Sequence, residues 1–188
     1  MKQGNRENLR EKAGDFLELF TVLSVGFVLL ASEVYRYVYV SRDFWGSTML
    51  IPIFVSSYYT NFLCTFPVNF EYYHKKTKVV SIITIVSSLV NVGLNYLLIL
   101  RIGMAGAAVA TLISHSLQLT LHYLYVRFVL GGKEYPFPLK MWVGYAAVFA
   151  AVAVASVAAD GLWLARWGLG AAIGLWELLR IRKRKVLI

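Results

Sequence analysis

Charge is scarce in this sequence. Asp, Glu, Lys and Arg make up 15% of its 188 residues, where a soluble domain carries about 25%, so there is too little polar surface to keep a water-soluble fold wet. Acidic residues are the scarcest, 10 against 19 basic ones. No two carboxylates share an apolar run, and Asp160 and Glu177 stand at opposite ends of theirs. A nucleophile-elbow Ser and a Gly-rich phosphate loop before a Lys are both missing. No catalytic residue is assigned and no enzyme is expected. Cysteine is nearly absent too. Cys64, alone inside an apolar run, excludes a disulfide framework and argues against a Cys-based metal site; it reads as a small buried hydrophobe.

What the sequence has in place of charge is apolar length. Hydrophobic residues reach 59% and mean hydropathy is +0.62. Four runs hold no charged residue at all: Phe44 to Phe70, Val79 to Leu100, Ile102 to Val126 and Met141 to Ala159. Each is long enough to cross a hydrocarbon core as a helix. Phe16 to Ser32, with Glu18, and Gly161 to Leu179, with Arg166 and Glu177, are weaker candidates beside them. The expected architecture is an all-α integral membrane protein, a single six-helix bundle over residues 1–188. Its helices are expected at about 16–32, 47–70, 78–100, 103–128, 140–159 and 161–179. The first apolar run is not expected to be a cleavable signal, because a mixed-sign stretch precedes it and no small-residue cleavage site follows.

The net charge of +9 is explained by where its cations lie. With six spans and the N-terminus inside, 15 of the 19 basic residues fall on the inner side, and only Arg36, Arg42, Arg101 and Arg166 on the outer. The positive-inside rule then puts both termini in the cytoplasm. The "RIRKRK" tail reads as a stop signal that meets anionic lipid headgroups, so the expected partners include membrane lipids and no nucleic acid. "EYYHKKTK" (71–78) and "GGKEYPFPLK" (131–140) are the inner loops; "ASEVYRYVYVSRDFWG" (31–46) is either an outer, interfacial loop or an extension of the first helix.

In "RIGMAG" (101–106) two apolar runs are separated by almost nothing. Gly103 and Gly106 permit a tight reversal, with Arg101 at the water interface. Helices gain no hydrophobic drive from meeting in lipid, so small residues must bring them close. Gly103 with Ala107, Gly106 with Ala110, and Ala107 with Thr111 are small pairs at i, i+4, a strip for another helix.

Polar residues inside spans are costly and need a reason. Asn91 and Asn95 lie one turn apart in the third helix. His115, Gln118 and His122 share a face of the fourth, and Asn61 and Asn69 fall in the second. The His pair lacks i, i+4 spacing and no acidic residue joins it, so no metal is expected. Two readings stand: hydrogen bonds between helices, or the lining of a wet cavity that contacts a polar substrate.

The stretch "TKVVSIITIVSSLVNVGLNYLLILRIGMAGAAVATLISHSLQLTLHYLYV" (77–126) resembles the carboxyl-terminal lobe of polysaccharide-biosynthesis flippases. These belong to the superfamily that also holds multidrug exporters and the lipid II flippase. The resemblance is carried by Asn91, Asn95, Gly103, Gly106, Ala107, Ala108, Ala110 and Thr111, with "HKKTK" like the family's link into that region. It implies one lobe of a two-lobe exporter fold in a bacterial or archaeal plasma (inner) membrane, and movement of a polyprenyl-pyrophosphate-linked glycan by alternating access, with no cofactor. Asn91, Asn95, His115, Gln118, His122 and Arg101 become the candidate cavity residues, and Arg36 and Arg166 further candidate cations. Family members have two six-helix lobes and this chain resembles the second alone. It is then the product of a truncated or split gene, the partner of a separate first lobe, or half of a two-fold homodimer. Rival expectations are a non-transporting scaffold of a glycan-assembly complex, an inactive product of a truncated gene and, least supported, a membrane-embedded transferase.

Overall fold

A computed structural model describes residues 3–38, 42–131, 135–137, 139–158 and 162–184. The described elements are α1 (Gln3–Val38), a 3-10 segment (Arg42–Leu50), α2 (Ile51–Tyr73), α3 (Thr77–Ile102), α4 (Met104–Phe128), α5 (Leu139–Ala158) and α6 (Trp163–Arg184). Four stretches are long and apolar enough to cross a membrane: Glu7–Val38, Gly46–Tyr73, Thr77–Ile102 and Met104–Phe128. In α5 the apolar part is shorter, Trp142–Val157, and α6 carries charge at Arg166, Glu177 and Arg180. Six α-helices are therefore present among the described residues, and four of them have the length and composition of a span.

Read from sequence as one domain, the chain gathers into two compact units: Met1–Arg10 with Ile53–Leu139, and Glu11–Pro52 with Lys140–Ile188. The first unit is built on α2, α3 and α4, the second on most of α1 with α5 and α6.

In the second unit, α1 is longer than its apolar run implied. At 36 residues it measures about 54 Å, more than the ~30 Å of a hydrocarbon core. The aromatic segment after Ala31 lengthens the helix through Tyr35, Arg36 and Tyr37. Along α1 polar residues are buried beside Leu17, Val25, Val28 and Leu29, and several large apolar ones face outward. Glu18, Thr21, Ser24, Ser32 and Glu33 are buried while Phe16, Leu23, Phe27 and Val34 are exposed. That is what an apolar solvent selects. Helix α6 approaches α1 at Gly170, where an added Cβ would lie 3.6 Å from the Leu30 side chain.

In the first unit, two sharp turns set the order of helices. α2 ends in a Schellman motif: the Lys76 amide donates to the Glu71 carbonyl at 2.9 Å and the Lys75 amide to the Tyr72 carbonyl at 2.9 Å. Its left-handed position is held by Lys75, at φ 56°, where glycine is the unstrained residue. Gly103, at φ 62°, closes α3 and opens α4 in a single residue. One left-handed glycine is enough to reverse the chain between two spans.

The small residues of α4 divide after that turn. Gly106, Ala108, Ala110 and Ser114 are buried, Ala107 and Thr111 are half-buried, and Gly103 is exposed. The contact strip is thus Gly106–Ala110–Ser114. A Cβ on Gly106 would collide with the Leu98 carbonyl group and stand 2.7 Å from the Ile99 nitrogen, so α3 and α4 touch backbone to backbone. Steps of four residues drift about 40° around a helix. By His122 the buried line has therefore moved about 160° from Gly106 and meets α2.

Two substitutions test these turns. Gly106→Leu should lower stability in detergent by about 1–3 kcal/mol or more through overpacking. Lys75→Gly should raise it by about 1 kcal/mol by removing the left-handed strain. Thermal unfolding of the purified chain reads both. A Gly106→Leu variant as stable as the parent would contradict the backbone contact.

Candidate functional site

Several polar residues of the first unit face outward, where lipid does not favour them. On α2 the buried side is formed by Tyr59, Leu63, Phe66 and Phe70, and the exposed side by Tyr58, Asn61, Thr65, Asn69 and Tyr72. Phe54 continues that exposed side. A helix turned toward acyl chains would show the opposite chemistry.

α3 carries three faces. Val80, Ile83, Ser87, Val90 and Leu94 are its more buried positions. On the far side Ile82, Ile85, Leu89, Val92 and Tyr96 are 59–71% exposed, a surface suited to lipid. Between them runs a polar line, Thr77, Ser81, Thr84, Ser88, Asn91 and Asn95, at alternating steps of four and three residues. Its first four members are exposed and the two asparagines half-buried. Ser81 and Ser88 donate to carbonyls one turn back, at 3.2 and 2.8 Å, which satisfies their hydrogens inside the helix. The Asn95 amide donates to the Asn91 side-chain oxygen at 2.9 Å. Each Asn offers two donors and an acceptor, so this one bond leaves amide capacity to spare.

α4 joins the two. The Gln118 amide reaches Thr84 Oγ1 on α3 at 3.5 Å. His115 donates from Nδ1 to the Ser57 carbonyl on α2 at 2.9 Å, and its ring stands 6.4 Å from that of Tyr58. His115 and Gln118 thus hold the polar sides of α2 and α3 to one central helix.

His122, expected beside them on the cavity face, is elsewhere in function. It is fully buried, and its Nδ1 lies 2.9 and 3.0 Å from the two oxygens of Glu71, which is also fully buried. The expectation that no acidic residue joins the histidines is overturned. By hydropathy Glu71 belongs to the loop after the second helix, but α2 continues to Tyr73. The signal was present in the period: Cys64 and Glu71 are seven residues apart, so Glu71 extends the buried side of α2 by two turns. Tyr135 and Phe137 close this end of the unit, with Tyr135 5.1 Å from the Phe70 ring and Phe137 5.1 Å from Phe66. Burial pushes the Tyr135 phenol up from its ordinary range, with a smaller push from Tyr123, Cys64 and Glu71.

The second unit holds an ion pair that sequence reading also missed. Arg166, expected as a cation near the outer face, is buried with Glu33, Nη1 to Oε1 at 2.9 Å. Its Nη2 donates to the Val28 carbonyl at 3.3 Å. One turn further along α6, Gly170 faces Leu29 and Leu30 of α1. Arg166 therefore ties α6 to α1, and its charge is already matched. A cavity of about 20 Å³ lies among Ser32, Thr48, Met49, Pro52, Ser156 and Val157, room for a single water. Arg101 is exposed at the end of α3.

Compared with protein-family models, curated proteins and solved structures, the chain matches none.

Removing one member of a buried pair strands the other charge. Arg166→Met should cost about 3–5 kcal/mol, and the double variant Glu33→Gln/Arg166→Met should recover most of that loss. Unfolding midpoints of the two single variants and the double variant measure the coupling. Independent, additive effects would contradict the pair.

Proposed function

We propose that this chain is the second lobe of a lipid-linked oligosaccharide flippase and works with another six-helix lobe, either a separate chain or a second copy. What carries the reading is the outward polar side of α2 together with the polar line of α3. Such surfaces require water or a polar partner in place of acyl chains. The side chains on offer are neutral amides and hydroxyls, Asn61, Asn69, Asn91, Asn95 and Thr84 among them. Groups that both donate and accept suit the hydroxyls of a sugar.

α3 adds a second support. Its polar line lies beside a continuous apolar side, so one helix borders both a hydrophilic space and lipid. An amphiphile with a glycan head and an isoprenoid tail requires that border. The head crosses along Asn91, Asn95 and Gln118 while the tail stays in the bilayer. In this reading all six helices span, α5 and α6 included, both termini are cytoplasmic, and the two lobes, related by an axis along the membrane normal, rock about the polar cavity between them.

A non-transporting scaffold in a glycan-assembly complex is the second reading. It is favoured by the pairing of Arg166 with Glu33, which removes one candidate cation for the pyrophosphate.

Reconstitution tests both. Vesicles carrying a fluorescent lipid-linked oligosaccharide should show flipping when the chain is assembled with its partner lobe. The variant Asn91→Leu/Asn95→Leu should slow it at least about tenfold, the worth of roughly one lost polar contact. Flipping by a proven monomer contradicts the two-wall mechanism. No flipping in any assembly favours the scaffold.

A further inference from the structure

Before its last residue, α2 exposes a single stripe: Phe54, Tyr58, Asn61, Thr65, Asn69 and Tyr72. From Phe54 to Tyr72 is eighteen residues, about five helical turns, so the stripe returns to the same side of the helix over about 27 Å. Not one of the six is aliphatic and not one is charged. The exposed apolar side of α3, by contrast, is mainly aliphatic, with Ile82, Ile85, Leu89 and Val92.

This chemistry suits none of the usual neighbours of a membrane helix. Acyl chains leave two amides and the tyrosine hydroxyls unsatisfied. A tightly packed helix needs small residues at the contact, as at Gly106, and the stripe has none. An aromatic belt at the headgroups accounts for Tyr72, near the end of α2. It does not account for Tyr58, which stands at the middle of the membrane-length stretch Gly46–Tyr73 and is 64% exposed. A ligand that meets rings and amides in turn does fit. A pyranose has that character: its C–H bonds form an apolar face that rests on the negative face of an aromatic ring. Its hydroxyls, at the rim, both donate and accept, as amides do.

The neighbouring helices set the stripe beside the polar line of α3. The Tyr58 ring stands 6.4 Å from that of His115, and Gln118 reaches Thr84. His115 and Gln118 are three residues apart on α4, so the stripe and the line border the same side of that helix. The line offers hydroxyls and amides but no ring; the rings come from α2. On the stripe, the Thr65 hydroxyl donates to the Phe62 carbonyl at 2.7 Å, which leaves its oxygen to accept.

We propose that Tyr58 and Tyr72 are stacking platforms for two different sugars of an uncharged oligosaccharide head, with Asn61, Thr65 and Asn69 binding the hydroxyls between them. This rests on the transport reading of the site and adds the class of ligand: a neutral glycan of several sugars, held by ring faces instead of charge. Tyr58 and Tyr72 are fourteen residues apart, about 21 Å along the helix, too far for one sugar ring to touch both. A monosaccharide meets one platform at a time and an oligosaccharide meets both.

Saturation-transfer NMR reads the contact without flipping. The full chain in nanodiscs is mixed with uncharged hexose and N-acetylhexosamine oligomers, from monosaccharide to pentasaccharide, and the aromatic protein resonances are irradiated. Saturation should reach the ring C–H protons of the sugars. Tyr58→Leu and Tyr72→Leu should each weaken pentasaccharide binding by roughly two- to tenfold. The double variant should weaken it by the product of the two factors, because sites this far apart act independently. Tyr58→Phe and Tyr72→Phe keep the rings and should bind like the parent, as should Tyr96→Leu on the apolar side of α3. Where Tyr58→Leu does not fold, Tyr58→Met removes the ring with less demand on packing. No transfer from the folded chain to any of these sugars, or transfer unchanged when the rings are deleted, overturns the platforms, whether or not lipid-linked glycan is flipped. Loss of self-association in place of sugar contact shows protein covering the stripe and overturns them as well. Sugar contact that is lost with the rings, in a chain that flips nothing in any assembly, upholds the platforms and counts against transport.

Discussion

Lipid cannot hydrogen-bond, and most of what this chain does with its polar residues follows from that. A hydroxyl, amide or charge inside a span must be satisfied by the protein or must face water. The structure uses three solutions. Hydroxyls donate to the carbonyl of their own preceding turn, as at Thr21, Ser57, Thr111 and Ser114. Ionisable side chains are partnered in buried contacts, Glu33 with Arg166 and Glu71 with His122. The remaining amides, Asn61 and Asn69 on α2 and Asn91 and Asn95 on α3, are left on exposed or half-buried surface. That third group is the exception within an apolar solvent, and it is where function is to be sought.

The same constraint explains what sequence could and could not show. Charge-free runs mark α2, α3 and α4 well, because a helix is the one local structure that satisfies its own backbone in lipid. The Gly103 turn and the close approach at Gly106 were legible for a related reason: no other residue fits a positive φ or a backbone contact so cheaply. Ends of helices were less legible. The mixed-sign residues before Phe16 look like a flanking segment by hydropathy, yet they are helical, since helix formation does not require apolar residues; of the two readings open for the aromatic segment around Tyr35, the structure takes the extension of the first helix as far as Val38. The buried pairs were missed because each charged residue, read alone, belongs outside the membrane. Glu33 and Arg166 are 133 residues apart, and only the packing of α6 on α1 brings them together. Glu71 was within reach of periodicity, being seven residues beyond Cys64 on the same side of α2.

The candidate site was half visible. Asn91 and Asn95 lie half-buried on α3, Gln118 reaches Thr84, and His115 turns to the α2 backbone; of the two readings left open by sequence, hydrogen bonds between helices describe His115 and Gln118. His122 shares their side of α4 but is buried, because at its level α4 meets α2 along a line of contact that has rotated away from Gly106. A helical wheel places side chains on one side; it does not say which neighbour each will meet. Two settings thus separate along one helix: half-buried side chains that bridge to α2 and α3 in the middle of α4, and a fully buried contact with Glu71 near its end.

The central claim is that the polar sides of α2 and α3 face water while the apolar side of α3 faces lipid. Cysteine accessibility tests it most directly. In a Cys64→Ser background, single cysteines replacing Asn61, Thr65, Thr84, Ser88 and Asn91 would be exposed in native membranes to a charged, membrane-impermeant thiol reagent. The account predicts labelling at these positions and protection at Ile82, Ile85, Leu89 and Val92, a periodicity that follows the two sides of α3. Protection at every polar position, or labelling equal all around α3, would contradict it.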